Sequence, residues 1–412
     1  MPSFYIPLSG LEANSNALSV TANNLANLNT IGYKAQRPLF EDLFYQQVGT
    51  SGDGDPKQIG VGTNIQAIDS QFTQGSIQSS GVPTDVAIQG NGYFVLDNAG
   101  ERVYTRAGDF SISQVGNLLS KDGANVLGYP AVNGVVNPNA TLGPLQISTG
   151  ETNPPKATAS FGLALNLDSD AAVNGSFSTS VPVYDSLGGS HVLTYTFTKT
   201  GANAWNYQIT IPAADVGASG NPVTVQTGTL NFNGAGQLTA PAANVSGITV
   251  NNLADGANSL SLTWDLYDAA GAGIVTQVAA PSAVASTTQD GFTSGTLVSY
   301  VIGSDGTIQG TFSNGQTAAL GQIALASFQN DQGLVRNGSN EFLASLSSGP
   351  ANIGVPGTGG RGSLSGGALE QSNVDIATQF AQLILQERGY QANAKAVTTF
   401  DEVTQTAINL KQ

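Results

Sequence analysis

Few residues in this chain are equipped for chemistry. His191 is its only histidine and cysteine is absent, which excludes thiolate catalysis, thiolate metal sites and disulfide scaffolding together. A Ser-His-Asp relay needs an imidazole held between a hydroxyl and a carboxylate. His191 instead lies in the strand-like run Val183-Tyr-Asp-Ser-Leu-Gly-Gly-Ser-His-Val-Leu-Thr194 and reads as a strand residue. Asp53-Gly-Asp55 has the flavour of a calcium loop but lacks the spaced acids and closing glutamate, so it reads as a flexible loop. Gly357-Thr-Gly-Gly-Arg-Gly362 mimics a phosphate cradle, yet the pattern places no strand before it, and no Lys-Ser or Lys-Thr follows. It reads as a mobile connector. No catalytic residue, metal site or cofactor is assigned, and the chain does not read as an enzyme.

The elements that would carry any site are of two kinds. At the N-terminus Leu8, Leu11, Ser15, Leu18, Ala22 and Leu25 recur at steps of three and four. At the other end Ile376, Phe380 and Leu383 do the same, followed beyond a polar gap at Glu387 by Tyr390, Ala394 and Val397. Phe400, Val403, Ala407 and Leu410 then take over the stripe in a new phase. Both ends read as amphipathic helices with a coiled-coil-like seam, paired as a hairpin that carries the middle of the chain. Asn27, Asn29 and Thr30 favour caps and turns, and Gly32 accepts a positive φ, so the first helix is expected to stop near there. Ser372 or Asn373 is expected to cap the second, with Asp375 in its first turn. The polar faces are mainly amide and hydroxyl groups, and residues 1–30 hold one charge, Glu12. Such helices are marginal alone and form when neighbours cover them, which points to self-assembly.

Between the helices, Gly, Thr, Ser and Asn alternate with short apolar runs, the texture of β-structure. The fold class expected is mainly β with a terminal α-helical hairpin carrying nested β-domains. Residues 1–32 and 368–412 form the helical part, 33–72 a linker, 73–145 and 285–367 an inner β-domain, and 146–284 an outer inserted one. In the outer domain Leu193, Tyr195 and Phe197 alternate with threonines, and Leu260, Leu262, Trp264 and Leu266 with Ser261, Thr263 and Asp265. Leu230, Phe232, Asn233-Gly-Ala-Gly236 and Leu238 read as a hairpin, and the whole as an antiparallel sandwich or barrel. Its eight acids, Glu151, Asp168, Asp170, Asp185, Asp215, Asp255, Asp265 and Asp268, face only Lys156 and Lys199. Asn153-Pro-Pro155 and Pro281-Ser282 supply stiff crossings.

Only 10% of the chain is charged, against roughly a quarter in ordinary domains, and the net charge is −15. Nucleic acid and anionic membrane surfaces are therefore poor partners. No run approaches a membrane span, so membrane insertion is not expected, and the N-terminus lacks the pattern of a cleaved signal.

The run Ala22-Asn-Asn-Leu-Ala-Asn-Leu-Asn-Thr-Ile-Gly-Tyr-Lys34 resembles the signature of the bacterial flagellar rod and hook proteins. So do Leu369-Glu-Gln-Ser-Asn-Val-Asp-Ile376 and Glu387-Arg-Gly-Tyr-Gln-Ala-Asn-Ala-Lys395. Asp85-Val-Ala-Ile-Gln-Gly-Asn-Gly-Tyr-Phe-Val-Leu96 and Tyr104-Thr-Arg-Ala-Gly-Asp-Phe110 resemble the family's shared inner segment, in which Asp85, Arg106 and Asp109 read as buried or turn-fixing groups. The His191 run, Asp290-Gly-Phe-Thr-Ser-Gly-Thr-Leu297 and Gly310-Thr-Phe-Ser-Asn-Gly-Gln316 are similar to the hook branch of the family. The resemblance implies a subunit that polymerises into a tube, extracellular and exported without a cleaved signal through the flagellar type III apparatus. It also implies as partners other copies of itself, the distal rod, the hook cap and the hook-filament junction proteins. The implied assembly residues are Leu8, Leu11, Leu18, Leu25, Asn27, Asn29, Thr30, Gly32, Tyr33, Asn373, Val374, Ile376, Phe380, Leu383, Tyr390, Gln391, Asn393 and Val397. Two other readings are a rod protein with an inserted domain, and a secreted β-domain adhesin or glycan binder using Trp205, Tyr207 and Trp264.

Overall fold

The computed structural model describes residues 4–148, 150 and 152–409. Glu151, Leu410 and the side chain of Ala407 lie outside them. Contacts divide the chain into one unit of residues 1–148, 299–310 and 317–412 and a second of residues 149–298 and 311–316.

Helix α1 spans Tyr5–Ala26 and closes at Asn27. The Asn27 side chain donates to the Asn23 carbonyl at 2.9 Å, and its Oδ1 accepts from the Thr30 hydroxyl at 3.0 Å. Short polar side chains here compete with the helical ladder, which is why the helix ends several residues ahead of Gly32. Gly32 has φ +66° and donates its N–H to the Glu370 carbonyl at 2.8 Å. A Cβ there would lie 2.7 Å from the backbone N of Ala107. Gly32→Ala should lower the stability of this unit by at least about 1–2 kcal/mol, the cost of a left-handed L-residue, with the backbone collision in addition. Urea unfolding followed by circular dichroism measures this, and an unchanged midpoint would contradict it.

Helix α2 spans Ile376–Asn409. Its cap is Asp375, whose Oδ1 accepts the Thr378 N–H at 2.7 Å. That backbone hydrogen bond, followed by one from the Thr378 side chain, holds the Asp375 carboxyl below its ordinary range. Neither Ser372 nor Asn373 caps the helix. Asn373 is occupied elsewhere, its Oδ1 accepting from the Ala35 N–H at 2.7 Å and its Nδ2 donating to the Gln71 and Thr73 carbonyls at 2.7 and 3.0 Å.

Most of residues 33–72 is regular structure rather than linker. Gln36–Asp42 pairs with Thr63–Ser70, and Tyr45–Thr50 with Pro56–Gly60, as a two-tier antiparallel ribbon. The Asp53-Gly-Asp55 segment is its tip, a turn tied by Ser51 N–H to the Asp55 carbonyl at 2.8 Å with Gly54 at φ +87°. Beyond the ribbon, Tyr93–Asn98 and Glu101–Thr105 form a hairpin over Ala99 and Gly100, both at positive φ, the requirement of a tight two-residue turn. Asn125–Val132 joins Tyr93–Asn98, and Glu341–Leu343 joins Glu101–Thr105. Tyr93, Val95, Tyr104, Leu127 and Phe342 form a buried cluster there.

The glycine-rich 357–362 segment is a pinned turn, not a mobile connector. Gly362 donates to the Asn91 carbonyl at 2.6 Å, and the Arg361 guanidinium donates from Nε to the Val355 carbonyl at 3.1 Å. A short strand, Asn352–Gly354, does precede it. A strand, Ser363–Gly366, follows where a phosphate loop needs a helix.

The second unit contains two five-stranded sheets around one core. Ser176–Tyr184, Ser190–Gly201, Ala204–Ile211, Val223–Phe232 and Leu238–Ala240 are antiparallel throughout. The facing sheet is mixed, a departure from the antiparallel expectation. Ser160–Asp168 runs parallel to Leu260–Asp265 and Val275–Val278, and antiparallel to Ala283–Gln289. Parallel pairing requires a long crossover, and the whole first sheet intervenes in sequence to provide one. Leu193, Tyr195, Phe197, Leu260, Leu262, Trp264 and Leu266 all point into the core. Trp205, Tyr207 and Trp264 are buried with them; Trp264 meets Tyr207 edge-on with centroids 5.2 Å apart. No aromatic binding face is built from these three.

Candidate assembly surface

The helices α1 and α2 pack antiparallel, but not through the leucines. The residues of α1 that become buried are Pro7, Gly10, Ala13, Ala17, Val20, Thr21 and Asn24. A Cβ on Gly10 would sit 2.9 Å from the Asn393 amide, and one on Gly389 would sit 2.7 Å from Asn14 Oδ1. Thr21 donates its hydroxyl to Gln386 Oε1 at 2.8 Å, and Asn24 donates to Gln379 Oε1 at 3.1 Å. Small and amide-bearing residues thus let the two backbones approach closely.

The apolar stripes flank this contact. Leu8 is 42% exposed, and Leu11, Leu18 and Leu25 are only partly covered. On α2, Ile376, Phe380 and Tyr390 are 47%, 49% and 36% exposed, while Leu383 and Val397 are half-buried. At about 100° per residue, each stripe is centred roughly a quarter turn from the helix–helix contact. Because the helices are antiparallel and both right-handed, the two offsets fall on the same side. The stripes merge into one apolar face, while the residues of α1 that meet the ribbon, Ser9 and Asn24, lie on the opposite side.

The other residues named for assembly divide into three groups. Tyr33 and Val374 are buried together with Ala35. The Tyr33 hydroxyl donates to Asn24 Oδ1 at 3.3 Å and accepts from Asn23 at 3.1 Å, with the Arg336 guanidinium 5.4 Å above the ring. These residues, with Asn27, Thr30, Gly32 and Asn373, shape the base of the hairpin and present no free surface stripe. Asn393 lines the helix–helix contact. Gln391 and Asn29 are exposed, the former accepting from Arg388 and donating to Glu387.

Beneath the hairpin base lies a buried ion triad. The Glu370 carboxylate accepts from Lys34 Nζ at 2.7 Å and from Arg106 Nη2 and Nε at 2.8 and 2.9 Å. Lys34 also donates to the Thr73 carbonyl at 2.8 Å, Gly75 N–H to Glu370 Oε1 at 2.9 Å, and Arg106 Nη1 to the Gly90 and Gly92 carbonyls. Burial first, then Arg106, pulls the Lys34 pKa down, with Glu370 opposing. Lys34, Arg106 and Glu370 sit in three of the resembling segments, residues 22–34, 104–110 and 369–376, and the triad ties those three together.

In the second unit His191 is held by carboxylates. Nε2 lies 2.8 Å from Asp185 Oδ2 and Nδ1 3.1 Å from Asp215 Oδ2, with Asp255 Oδ2 at 3.8 Å from Nε2. Asp185 Oδ1 accepts the Leu187 and Gly189 N–H groups at 2.7 and 2.9 Å. With both ring nitrogens facing carboxylates, no serine relay exists here. Asp185, His191 and Asp255 are also the only grouping among the described residues with the spacing to hold a cation; a proton on the imidazole meets the same electrostatic need.

Comparison with known proteins gives four matches in chain order. Residues 4–34 match the family described as flagella basal body rod protein, 87–160 the flagellar hook protein FlgE/F/G D1 domain, 149–292 the flagellar basal body protein FlaE D2 domain, and 365–410 the flagellar basal body rod FlgEFG protein C-terminal. Helical ends closing on one another around β units nested in sequence, together with these matches, define an axial protein of the bacterial flagellum. The chain is 34% identical over 462 residues to the flagellar hook protein FlgE of Treponema pallidum, with 100% of both covered. It is 35% identical over 426 residues to that of Escherichia coli, with 98% of both covered. The chain belongs to the flagellar hook protein family. Among solved structures, Helicobacter pylori flagellar hook protein FlgE2 is similar over 68% of this chain and 98% of that chain, at 16% identity and a TM-score of 0.49. The protein is a structural subunit of the hook, and neither the rod protein with an insertion nor the adhesin is favoured. Among the described residues no helix is long and apolar enough to cross a membrane.

Proposed function

We propose that the subunit polymerises head-to-tail with copies of itself through the apolar face shared by α1 and α2, in an open helix that serves as the flexible joint between rod and filament. The observation that carries this reading is the exposure of Leu8, Ile376, Phe380 and Tyr390 along one side of a hairpin whose own contact is made by other residues. Assembly belongs to residues 1–32 and 368–412, and residues 146–284 form the outer, solvated part. The distal rod, hook cap and junction proteins are the partners at the two ends of the polymer. Export through the flagellar type III apparatus suits a chain without cysteine, because no disulfide has to form or break in transit.

Electron microscopy and sedimentation under polymerising salt test the reading. The wild-type chain should form curved tubes, whereas Leu11→Asp with Phe380→Asp should stay monomeric with unchanged ellipticity. Tubes from the double variant at wild-type concentration would exclude this face. Straight, rigid tubes from the wild type would contradict the flexible-joint role.

A further inference from the structure

Beside the C-terminal end of α1, residues of the 27–31 turn, the 105–109 segment, the 120–122 turn and the 339–341 segment enclose a cleft of about 380 Å³. Its electrostatics are one-sided. Glu341 is 4% exposed, and its Oε1 has no hydrogen-bond partner. The neighbouring Asn340 Oδ1 is likewise unpartnered. Both orphaned atoms are acceptors, and each lacks a donor that water or another chain would have to bring. Asp109 and Asp122 line the same cleft, and the carbonyl end of α1, which carries no basic residue in its last turn, adds negative potential. Lys121, exposed at the rim, is the one cation among the lining residues. Burial, and then Asp122, raises the Glu341 pKa, and burial raises that of Asp109. A cation held in the cleft would stabilise the charged form of these carboxylates.

We infer that this cleft receives a lysine or arginine side chain from a second copy of the chain, its ammonium or guanidinium donating to Glu341 Oε1 and Asn340 Oδ1. The inference rests on the polymer proposed above, which brings copies side by side. Charge complementarity supports the choice of occupant. Arg37, Lys57, Arg388 and Lys395 are exposed and, among the described residues, join no ion pair. They stand on the ribbon and on α2, so a neighbouring copy displays several cations without intramolecular partners. A buried acceptor pair also favours a donor-rich side chain over a bare ion, since a guanidinium presents several N–H groups at once.

Two measurements test this separately from polymerisation itself. The first uses the full-length monomer, with the Glu341 side-chain carboxyl followed by NMR during titration with N-acetyl-arginine amide and, in parallel, with calcium chloride. A saturable shift with the arginine derivative, lost in Glu341→Gln, is expected. Saturation by calcium alone would overturn the side-chain assignment in favour of a metal, and no shift with either would overturn the site. The second follows assembly. Glu341→Gln should raise the critical concentration by at least about thirtyfold, the lower range for truncating one member of a buried charge pair. Reversing one of Arg37, Lys57, Arg388 or Lys395 to glutamate should restore assembly of Glu341→Lys, which a folding defect could not do. Wild-type tubes with an unchanged critical concentration in Glu341→Gln would refute the cleft while leaving the hook polymer intact. A wild type that never assembles would count against the polymer and leave the monomer titration to decide the cleft.

Discussion

Glu370→Ala is expected to destabilise the first unit by about 3–5 kcal/mol, the usual cost of removing one member of a buried ion cluster. The side chain is fully buried and accepts from Lys34, Arg106 and the Gly75 amide. Without it two cations remain in a space that excludes water, and Lys34, whose pKa burial already lowers, sheds its proton first. Glu370→Gln retains an acceptor for Gly75 but not the charge, so its loss should be intermediate. The measurement is urea unfolding of the full chain by circular dichroism, with tryptophan fluorescence recorded alongside. Both tryptophans, Trp205 and Trp264, lie in the second unit, so the fluorescence transition should hold its midpoint while the ellipticity loses its first-unit component. A loss below about 1 kcal/mol would show the triad to be dispensable.

The second large effect concerns His191 and pH. Burial opposes charge on the imidazole, but hydrogen bonds to Asp185 and Asp215 outweigh it and raise its pKa. Asp185 is the counterpart: burial pushes its carboxyl up, yet contacts with Asp255 and His191 and the Gly189 and Leu187 amides hold it below its ordinary value. A raised histidine pKa means that the folded state binds the proton more tightly than the unfolded state. The stabilisation is therefore complete below about pH 6.5 and is lost as pH rises through the folded value. For Asp185 the stabilisation is present above the unfolded value of about 3.9 and is lost as pH falls through the depressed one. The melting temperature of the second unit, read by tryptophan fluorescence, should accordingly fall on the alkaline side. His191→Ala should abolish that slope and cost about 3 kcal/mol near pH 6, because Asp185 keeps its burial and loses its cation. A variant with the wild-type pH profile would show that the imidazole titrates without consequence for folding.

Both effects arise from residues that sequence patterns undervalue. The three-and-four spacing of Leu8, Leu11, Leu18 and Leu25 was plain, and with it the helices. Which face they turn to one another was not, because Gly10, Ala17, Asn24, Gln386 and Gly389 carry almost no hydropathy signal and make their contact through smallness and amide bonding. The alternation of Leu193, Tyr195 and Phe197 gave the outer strands directly, since apolar-in and threonine-out has period two. The outer half of the ribbon, Tyr45–Thr50 with Pro56–Gly60, carries no such signal, because nearly every residue of both strands is exposed and no face is marked by apolar alternation. His191 lies six residues from Asp185, but Asp215 reaches it from the short 3-10 turn Ala213–Val216 and Asp255 from a distant loop, which no local pattern announces. Glu370 stands inside a recognisable motif, yet its need for Lys34 is visible only once the two ends meet.

That meeting sets an order on folding. Lys34 and Glu370 are 336 residues apart in sequence, and Asn24 and Gln379 are 355 apart. Contacts of such separation bear the largest loop-closure entropy in the chain and form late, whereas the hairpins of the second unit close locally. A nascent chain therefore closes the hairpins of the second unit first and its helical hairpin last. Truncation anywhere before residue 370 leaves the N-terminal helix without its partner, so on the assembly proposed above an incomplete subunit would lack the surface that joins a growing tube and could not poison its end.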